Sequence, residues 1–161
     1  MPGGPVIDYT SQMFHVGHLV PNLGDAMDQL GGDFGFTWTD VVFREDQPLW
    51  TPEDGQRHVP LKFCYSMAGP QRVELIEGPE GTPWWHGDPE NLHHSGVWAD
   101  VPTLTNELLS RGWTLVMAQK SPEEGYGSFT YVRSPTGFLL EPVAMANKPR
   151  MEQWFATGVL G

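Results

Sequence analysis

The sequence predicts an α+β fold built from two tandem β-α-β-β-β modules, and three observations carry that prediction. The stretch Leu92-His93-His94-Ser95-Gly96-Val97-Trp98-Ala99-Asp100-Val101 has an echo near the N-terminus, Phe14-His15-Val16-Gly17-His18-Leu19-Val20-Pro21-Asn22-Leu23. Both run His-x-Gly through alternating apolar positions, then Asp or Asn, then a helical pattern, with His15 and His94 79 residues apart. Self-similarity of this kind marks two copies of one unit. Each copy also closes on a strand bearing a glutamate, Val73-Glu74-Leu75-Ile76 in the first and Leu139-Leu140-Glu141-Pro142 in the second. Lastly, 19 Gly and 15 Pro in 161 residues favour short strands and turns over long helices.

Residues 1–12 read as a loose lead-in. Residues 14–20 alternate, so His15, Gly17 and Leu19 share one face while Val16, His18 and Val20 share the other. Asn22 is a candidate N-cap for a helix whose apolar stripe is Leu23, Ala26, Met27 and Leu30, and Gly31-Gly32 is predicted to end it. Phe36 to Val42 is rich in strand formers and is assigned as the second strand. Residues 45–59 break into Pro, Asp, Glu and Gly and read as an irregular excursion. Leu61–Ala68 and Arg72–Ile76 are the third and fourth strands, separated by a Gly69-Pro70 turn.

The turn-rich segment that follows is a natural linker. In the second copy His94–Ala99 is a strand, and Pro102 opens a helix with Leu104, Leu108 and Leu109 as its stripe and Gly112 as its stop. Trp113–Ala118, Ser128–Arg133 and Phe138–Val143 complete the module, with Ser134-Pro135-Thr136-Gly137 as a hairpin turn. Residues 147–161 form a C-terminal helix whose Met151, Trp154 and Phe155 pack on the body or on a partner subunit. The resulting division is a first module over 13–79, a linker over 80–92, a second module over 93–145 and a C-terminal helix and tail over 146–161. His15 and Glu74 lie 59 residues apart and His94 and Glu141 47 apart, and the excess of 12 is about the size of the 45–59 excursion.

The formal net charge of −11 argues against a nucleic-acid partner or an anionic membrane surface. It leaves room for an anionic substrate if Arg44, Lys62, Arg72, Lys120 or Arg133 gather around a pocket. No apolar run approaches the roughly 18 residues of a membrane span, and the N-terminus has no basic or apolar signal region, so a cytoplasmic protein is expected. The single cysteine, Cys64, excludes an internal disulfide, fits a reducing compartment and reads as an inert buried thiol.

His15, Glu74, His94 and Glu141 are the candidate metal ligands. Each glutamate could instead sit at a solvated strand end, and each histidine could be ordinary core. The repetition of the His…Glu pair favours a metal, because a carboxylate in a strand of Val, Leu and Ile is costly to bury bare. Two neutral imidazoles and two carboxylates balance a divalent ion and leave coordination positions open; Zn, Ni, Co, Mn and Fe(II) all suit such a set. His18 and His93 face away from this group. His86 is assigned to an exposed turn, while Trp38, Met67, Trp98 and Phe129 are candidate substrate-binding walls.

With the motifs His-Val-Gly, Val-Glu-Leu-Ile-Glu, Leu-His-His-Ser-Gly and Ser-Pro-Thr-Gly-Phe-Leu-Leu-Glu-Pro in this order, the chain resembles the vicinal oxygen chelate superfamily. It is most similar to the branch of glyoxalase I and methylmalonyl-CoA epimerase, and the resemblance covers about residues 13–145. It implies a curved mixed sheet around a central metal-containing cavity, with His15 and Glu74 as ligands from the first module and His94 and Glu141 from the second. It also implies a divalent-metal-dependent lyase or isomerase of glyoxalase type that moves a proton beside a metal-bound carbonyl of a small molecule. Glu141 is the first choice for the base and Glu74 the second; a homodimer is expected. The alternatives are an Fe(II)-dependent ring-cleaving dioxygenase and a non-catalytic antibiotic-type binding protein of the same superfamily.

Overall fold

Alternation of apolar and polar positions makes Met13–Leu19 a strand, β1, with His15, Gly17 and Leu19 buried and Val16 exposed. The computed structural model describes residues 3–161; Met1 and Pro2, the start of the predicted lead-in, lie outside them. The rest of the lead-in contains a four-residue helix, α1 (Tyr9–Gln12). After β1, the Asn22 side chain accepts the Asp25 N–H at 2.9 Å and starts α2 (Leu23–Phe34). The helix does not stop at Gly31-Gly32. It runs on to Gly35, whose positive φ of 73° lets its N–H close onto the Gly31 carbonyl at 2.9 Å.

The next stretch corrects the sequence reading in two places. Phe36 to Val41 is not a strand: only Trp38 pairs there, in an isolated bridge to Ser66. The excursion at 45–59 is instead the body of a long antiparallel hairpin, β2 (Val42–Thr51) and β3 (Gly55–Tyr65). Its charged residues Glu45, Asp46 and Lys62 are exposed, while Gln47, Leu49 and Thr51 are buried at every second position. β4 (Arg72–Glu77) follows and pairs with both β3 and β1.

The second half repeats the order with β5 (His93–Ala99), α3 (Val101–Ser110), β6 (Thr114–Ala118), β7 (Thr130–Arg133) and β8 (Leu139–Ala144). A final helix, α4 (Lys148–Thr157), buries Trp154 and Phe155 against the body. The eight strands close into a barrel in the order β1-β4-β3-β2-β6-β7-β8-β5. The two halves meet along β1 and β5, antiparallel, and across a single bridge between Trp50 and Ala118. α2 covers one half through Leu23, Ala26, Met27 and Leu30 against Val20, Cys64 and Leu75, and α3 covers the other through Leu104 and Leu108. Inside, one cluster contains Leu49, Ile76, Met117 and Tyr131, and another contains Phe14, Tyr65, Trp98, Trp154 and Phe155. No helix among the described residues is long and apolar enough to cross a membrane.

Candidate metal centre

Strand register brings the four repeated residues together. Gly17 lies between Glu74 on β4 and His94 on β5, while Gly96 lies between His15 on β1 and Glu141 on β8. The two rows are adjacent on the inner face of the barrel. Each histidine ring lies over the glycine of the opposite strand. A Cβ added to Gly17 would sit 1.8 Å from His94 Cε1, and one added to Gly96 would sit 1.9 Å from His15 Cε1. The His-x-Gly motif therefore has a steric purpose: each module supplies a ring and the slot for its twin's ring.

His15 Nε2 and His94 Nε2 approach to 3.0 Å, and each lies 3.2–3.3 Å from both Glu74 Oε1 and Glu141 Oε1. Ligand atoms from all four residues fall within 4.8 Å of one another, and all four residues are buried. Neither Glu74 Oε1 nor Glu141 Oε1 has a hydrogen-bond partner. Buried carboxylate oxygens left bare in this way call for a cation. Two nitrogen and two oxygen donors converging in this way are a ligand set suited to a divalent transition metal. The residues present fit such an ion.

The electrostatics follow from the same crowding. Burial lowers the His15 pKa, but the Glu74 charge and close contact with Glu141 outweigh it and raise it to about 9. His94 is pulled down by burial and raised more strongly by Glu141 and Glu74. Burial pushes the Glu74 carboxyl up, yet His15 and then His94 carry it down to about 2. The outer nitrogens, Nδ1 of both rings, meet no acceptor, so packing rather than a hydrogen bond fixes the ring planes. His15 packs edge-on against Tyr65, and His94 packs against Tyr131 at 4.8 Å between ring centres.

These tyrosines are a second repeated element that the sequence reading missed. Tyr65 pairs with Glu74 across β3 and β4, and Tyr131 holds the corresponding place before Glu141, one register step beyond Val132 opposite Leu140. Burial first, and then the glutamate charges, push both phenols well above their usual range, so both hydroxyls stay protonated. The spacing was visible: Tyr65 precedes Glu74 by 9 residues and Tyr131 precedes Glu141 by 10.

Glu74, Glu141, Tyr65 and Tyr131 line a cavity of about 330 Å³, as does Trp84 from the predicted linker. Of the four candidate substrate walls, only Phe129 is among its lining residues. Trp38 turns outward to α2, where its Nε1 donates to the Met27 carbonyl at 3.1 Å. Met67 packs beside Gly158. Trp98 is stacked under Phe14 at 3.8 Å, next to a break in the β1–β5 register. His18 and His93 stack on the outer face of the same strands, and His86 lies against Trp85 outside the cavity. Of the basic residues suggested by sequence, Arg44 alone reaches the cavity: Arg72 covers the Phe155 ring, Lys62 lies over Phe43, and Lys120 and Arg133 pair with Glu124 and Glu90. Cys64 is fully buried, and burial, followed by the Glu74 charge, pushes its thiol up to about 12.

A barrel of paired β-α-β-β-β halves around a His2Glu2 cluster defines a class of two-module proteins with an enclosed centre. Within that class, residues 14–131 match the sequence pattern of the Glyoxalase/Bleomycin resistance protein/Dioxygenase superfamily, and the chain belongs to that superfamily. No curated protein matches the chain. Among solved structures it is similar to a hypothetical protein of Bacillus halodurans, at 17% identity and TM-score 0.56 over 83% of this chain and 93% of that one. It is also similar to methylmalonyl-CoA epimerase of Mycobacterium tuberculosis, at 16% identity and TM-score 0.56 over 92% of this chain and 95% of that one. A Streptomyces coelicolor methylmalonyl-CoA epimerase variant in complex with 2-nitronate-propionyl-CoA matches at 15% identity and TM-score 0.54 over 84% and 97%. At these identities the likeness is one of fold.

Proposed function

We propose that this protein is a divalent-metal-dependent enzyme that transfers a proton at the carbon next to a carbonyl group of a small molecule. The observation that carries the reading is the convergence of two imidazoles with two buried carboxylates that line a cavity, each carboxylate with its Oε1 atom unpartnered. His15, Glu74, His94 and Glu141 would hold the ion, with Zn, Ni, Co, Mn and Fe(II) all compatible with two nitrogens and two oxygens. When bound, the ion supplies Lewis acidity to a carbonyl oxygen.

The chain's own residues do the rest. Glu141 takes the proton from the adjacent carbon and returns it, in keeping with general base catalysis by a carboxylate. Glu74 is the second choice for this role. Tyr65 and Tyr131, both protonated, offer hydroxyl donors beside the two carboxylates. An isomerase, an epimerase or a lyase would all begin with this proton abstraction, and an epimerase would need a second group to return the proton on the opposite face. The likeness in fold to methylmalonyl-CoA epimerases supports a carbon-acid substrate. A homodimer and a cytoplasmic setting belong to the same reading.

Proton exchange tests it. The metal-loaded protein, incubated in D2O with a panel of thioesters and 2-hydroxy ketones, is expected to wash out the α-proton of at least one compound. Glu141→Gln should abolish the exchange while keeping the fold. Exchange that survives Glu141→Gln at the wild-type rate would remove Glu141 as the base. Oxygen uptake on added Fe(II), with no exchange, would overturn the proton-transfer reading altogether.

A further inference from the structure

We propose that the C-terminal helix α4 is a specificity element, and that its Arg150 and Trp154, together with Arg44 of β2, bind an anionic oxygen group, a carboxylate or a phosphate, at the end of the substrate remote from the carbonyl. The proposal rests on the metal-assisted reading for the position of the carbonyl end. α4 lies after β8, outside both repeated modules and beyond the matched residues 14–131. It presents Asn147, Arg150, Met151 and Trp154 to the cavity. Positions three and four apart share one helix face, so this stripe is a continuous wall.

The two basic groups of the cavity differ from four of the seven outside it. The chain has 20 acidic residues against nine basic ones, so carboxylate partners are plentiful. Arg57, Arg111, Lys120 and Arg133 each pair with a side-chain carboxylate, and none of them lines the cavity. Arg44 and Arg150 line it, and neither meets a side-chain carboxylate among the described residues. Arg150 Nε donates to the Gly161 carbonyl at 3.1 Å, which orients the guanidinium and leaves its terminal nitrogens for another acceptor. The Arg44 guanidinium rests over the Phe63 ring, itself a cavity wall. Guanidinium groups held in this way are suited to forked hydrogen bonds with an oxyanion.

Trp154 supplies an independent observation. Its side chain is 2% exposed, and its Nε1 donor is buried with no partner in the fold. It stands edge-on to Tyr65 and Phe63, both cavity residues, one helical turn from Arg150. A buried N–H left unpaired is unfavourable, and an acceptor oxygen in the cavity would relieve it. The cavity is thus lined by two acidic residues suited to an ion, by Arg44, Arg150 and Trp154, and by apolar rings. A small carbonyl compound with an acid tail complements both polar groups, and about 330 Å³ accommodates one of modest size.

The test compares the binding of levulinate, its methyl ester and dihydroxyacetone phosphate to the metal-loaded full chain by titration calorimetry. At least one anion is expected to bind about tenfold more tightly than the ester, and the stronger of the two identifies the tail as carboxylate or phosphate. Arg44→Gln, Arg150→Gln and Trp154→Phe should each weaken that anion by fivefold or more and leave the ester unchanged. Arg150→Lys, which keeps the charge, should restore part of the loss. Metal content should stay at the wild-type level in every variant. Equal binding of anion and ester by the wild type, or equal loss of both in the variants, would overturn the anionic subsite. If instead the anion discriminates as expected but the ester binds equally well without metal, the metal-docked carbonyl fails and the anionic subsite stands.

Discussion

β1 and β5 carry two histidine pairs, one on each face of the same two strands, and the pairs differ in nearly everything but residue type. Inside, His15 and His94 meet at 3.0 Å between Nε2 atoms, with their rings 85° apart. Outside, His18 and His93 meet at 3.1 Å between Nδ1 atoms, with rings stacked at 16°. The inner pair is buried and has two glutamates within 3.3 Å. The outer pair is part-exposed, and no carboxylate joins it in a cluster of three or more possible ligands among the described residues. The inner carboxylates drive His15 up to about 9, whereas burial and then its partner His93 lower His18. Proximity of two imidazoles is therefore not what marks the candidate centre. The marks are the buried carboxylates and the glycine slots that let rings and carboxylates converge.

The largest expected difference between the pairs is in metal-linked stability. A ligand at about a thousand times its dissociation constant stabilises by about 4 kcal/mol. In a domain of this size that corresponds to a fall of about 10 °C in Tm when a chelator removes the ion. Differential scanning calorimetry should show this fall in the wild type and in His18→Ala/His93→Ala alike, and should show none in Glu74→Gln/Glu141→Gln.

The glycine slots come next. Gly17→Ala and Gly96→Ala place a methyl group inside the space of a histidine ring, and displacement of a packed ring costs about 1–3 kcal/mol. Urea titration of the metal-free protein should show that loss for each variant. Ser95→Ala, on the outer face opposite Val16, should shift stability by no more than about 0.5 kcal/mol. Equal effects at Gly96 and Ser95 would remove the steric role of the motif.

Titration separates the pairs with opposite signs. In the metal-free protein the folded His15 binds its proton more tightly than the unfolded one, whose pKa lies near 6.5. That stabilisation is complete below pH 6.5 and is lost as pH rises towards 9. Glu74 is depressed, so its contribution is present above about pH 4.5 and is lost as pH falls towards 2. His18 is lowered, so it costs stability as pH falls below 6.5, by a small amount given its exposure. Metal-free Tm should therefore decline between pH 6.5 and 9. Metal binding should release protons over the same range, because the imidazoles must be neutral to ligate. A Tm that rises from pH 6.5 to 9 without metal would contradict the inner-pair electrostatics. The smallest effect is expected from His93→Ala alone, within about 0.5 kcal/mol in denaturant titrations and with unchanged metal affinity.

The inner group was legible in the sequence because duplication wrote it twice: His-x-Gly and a strand glutamate recur at matching places. The Asn22 cap was legible because capping is a local hydrogen bond. The β2–β3 hairpin was misread because its exposed face is charged and proline-bearing, although Gln47, Leu49 and Thr51 alternate as a half-buried strand should. Phe36 to Val41 misled in the opposite direction, since strand-forming residues need a partner strand and only Trp38 forms a bridge. For α4, sequence identified Met151, Trp154 and Phe155 as a packing face, but only tertiary structure reveals that Arg150 and Trp154 border the cavity. Trp38 and Trp98 failed as cavity walls because one follows α2 outward and the other lies beneath Phe14.

The central claim is that the inner four residues form a divalent metal site, and metal stoichiometry tests it most directly. Elemental analysis after dialysis against Zn, Ni, Co, Mn or Fe(II) should give one ion per chain for at least one metal. The ion should persist in His18→Ala/His93→Ala and disappear in His15→Ala/His94→Ala with the fold retained by circular dichroism. An ion that follows the outer pair, or a folded wild-type chain that retains none of the five metals, would contradict the account.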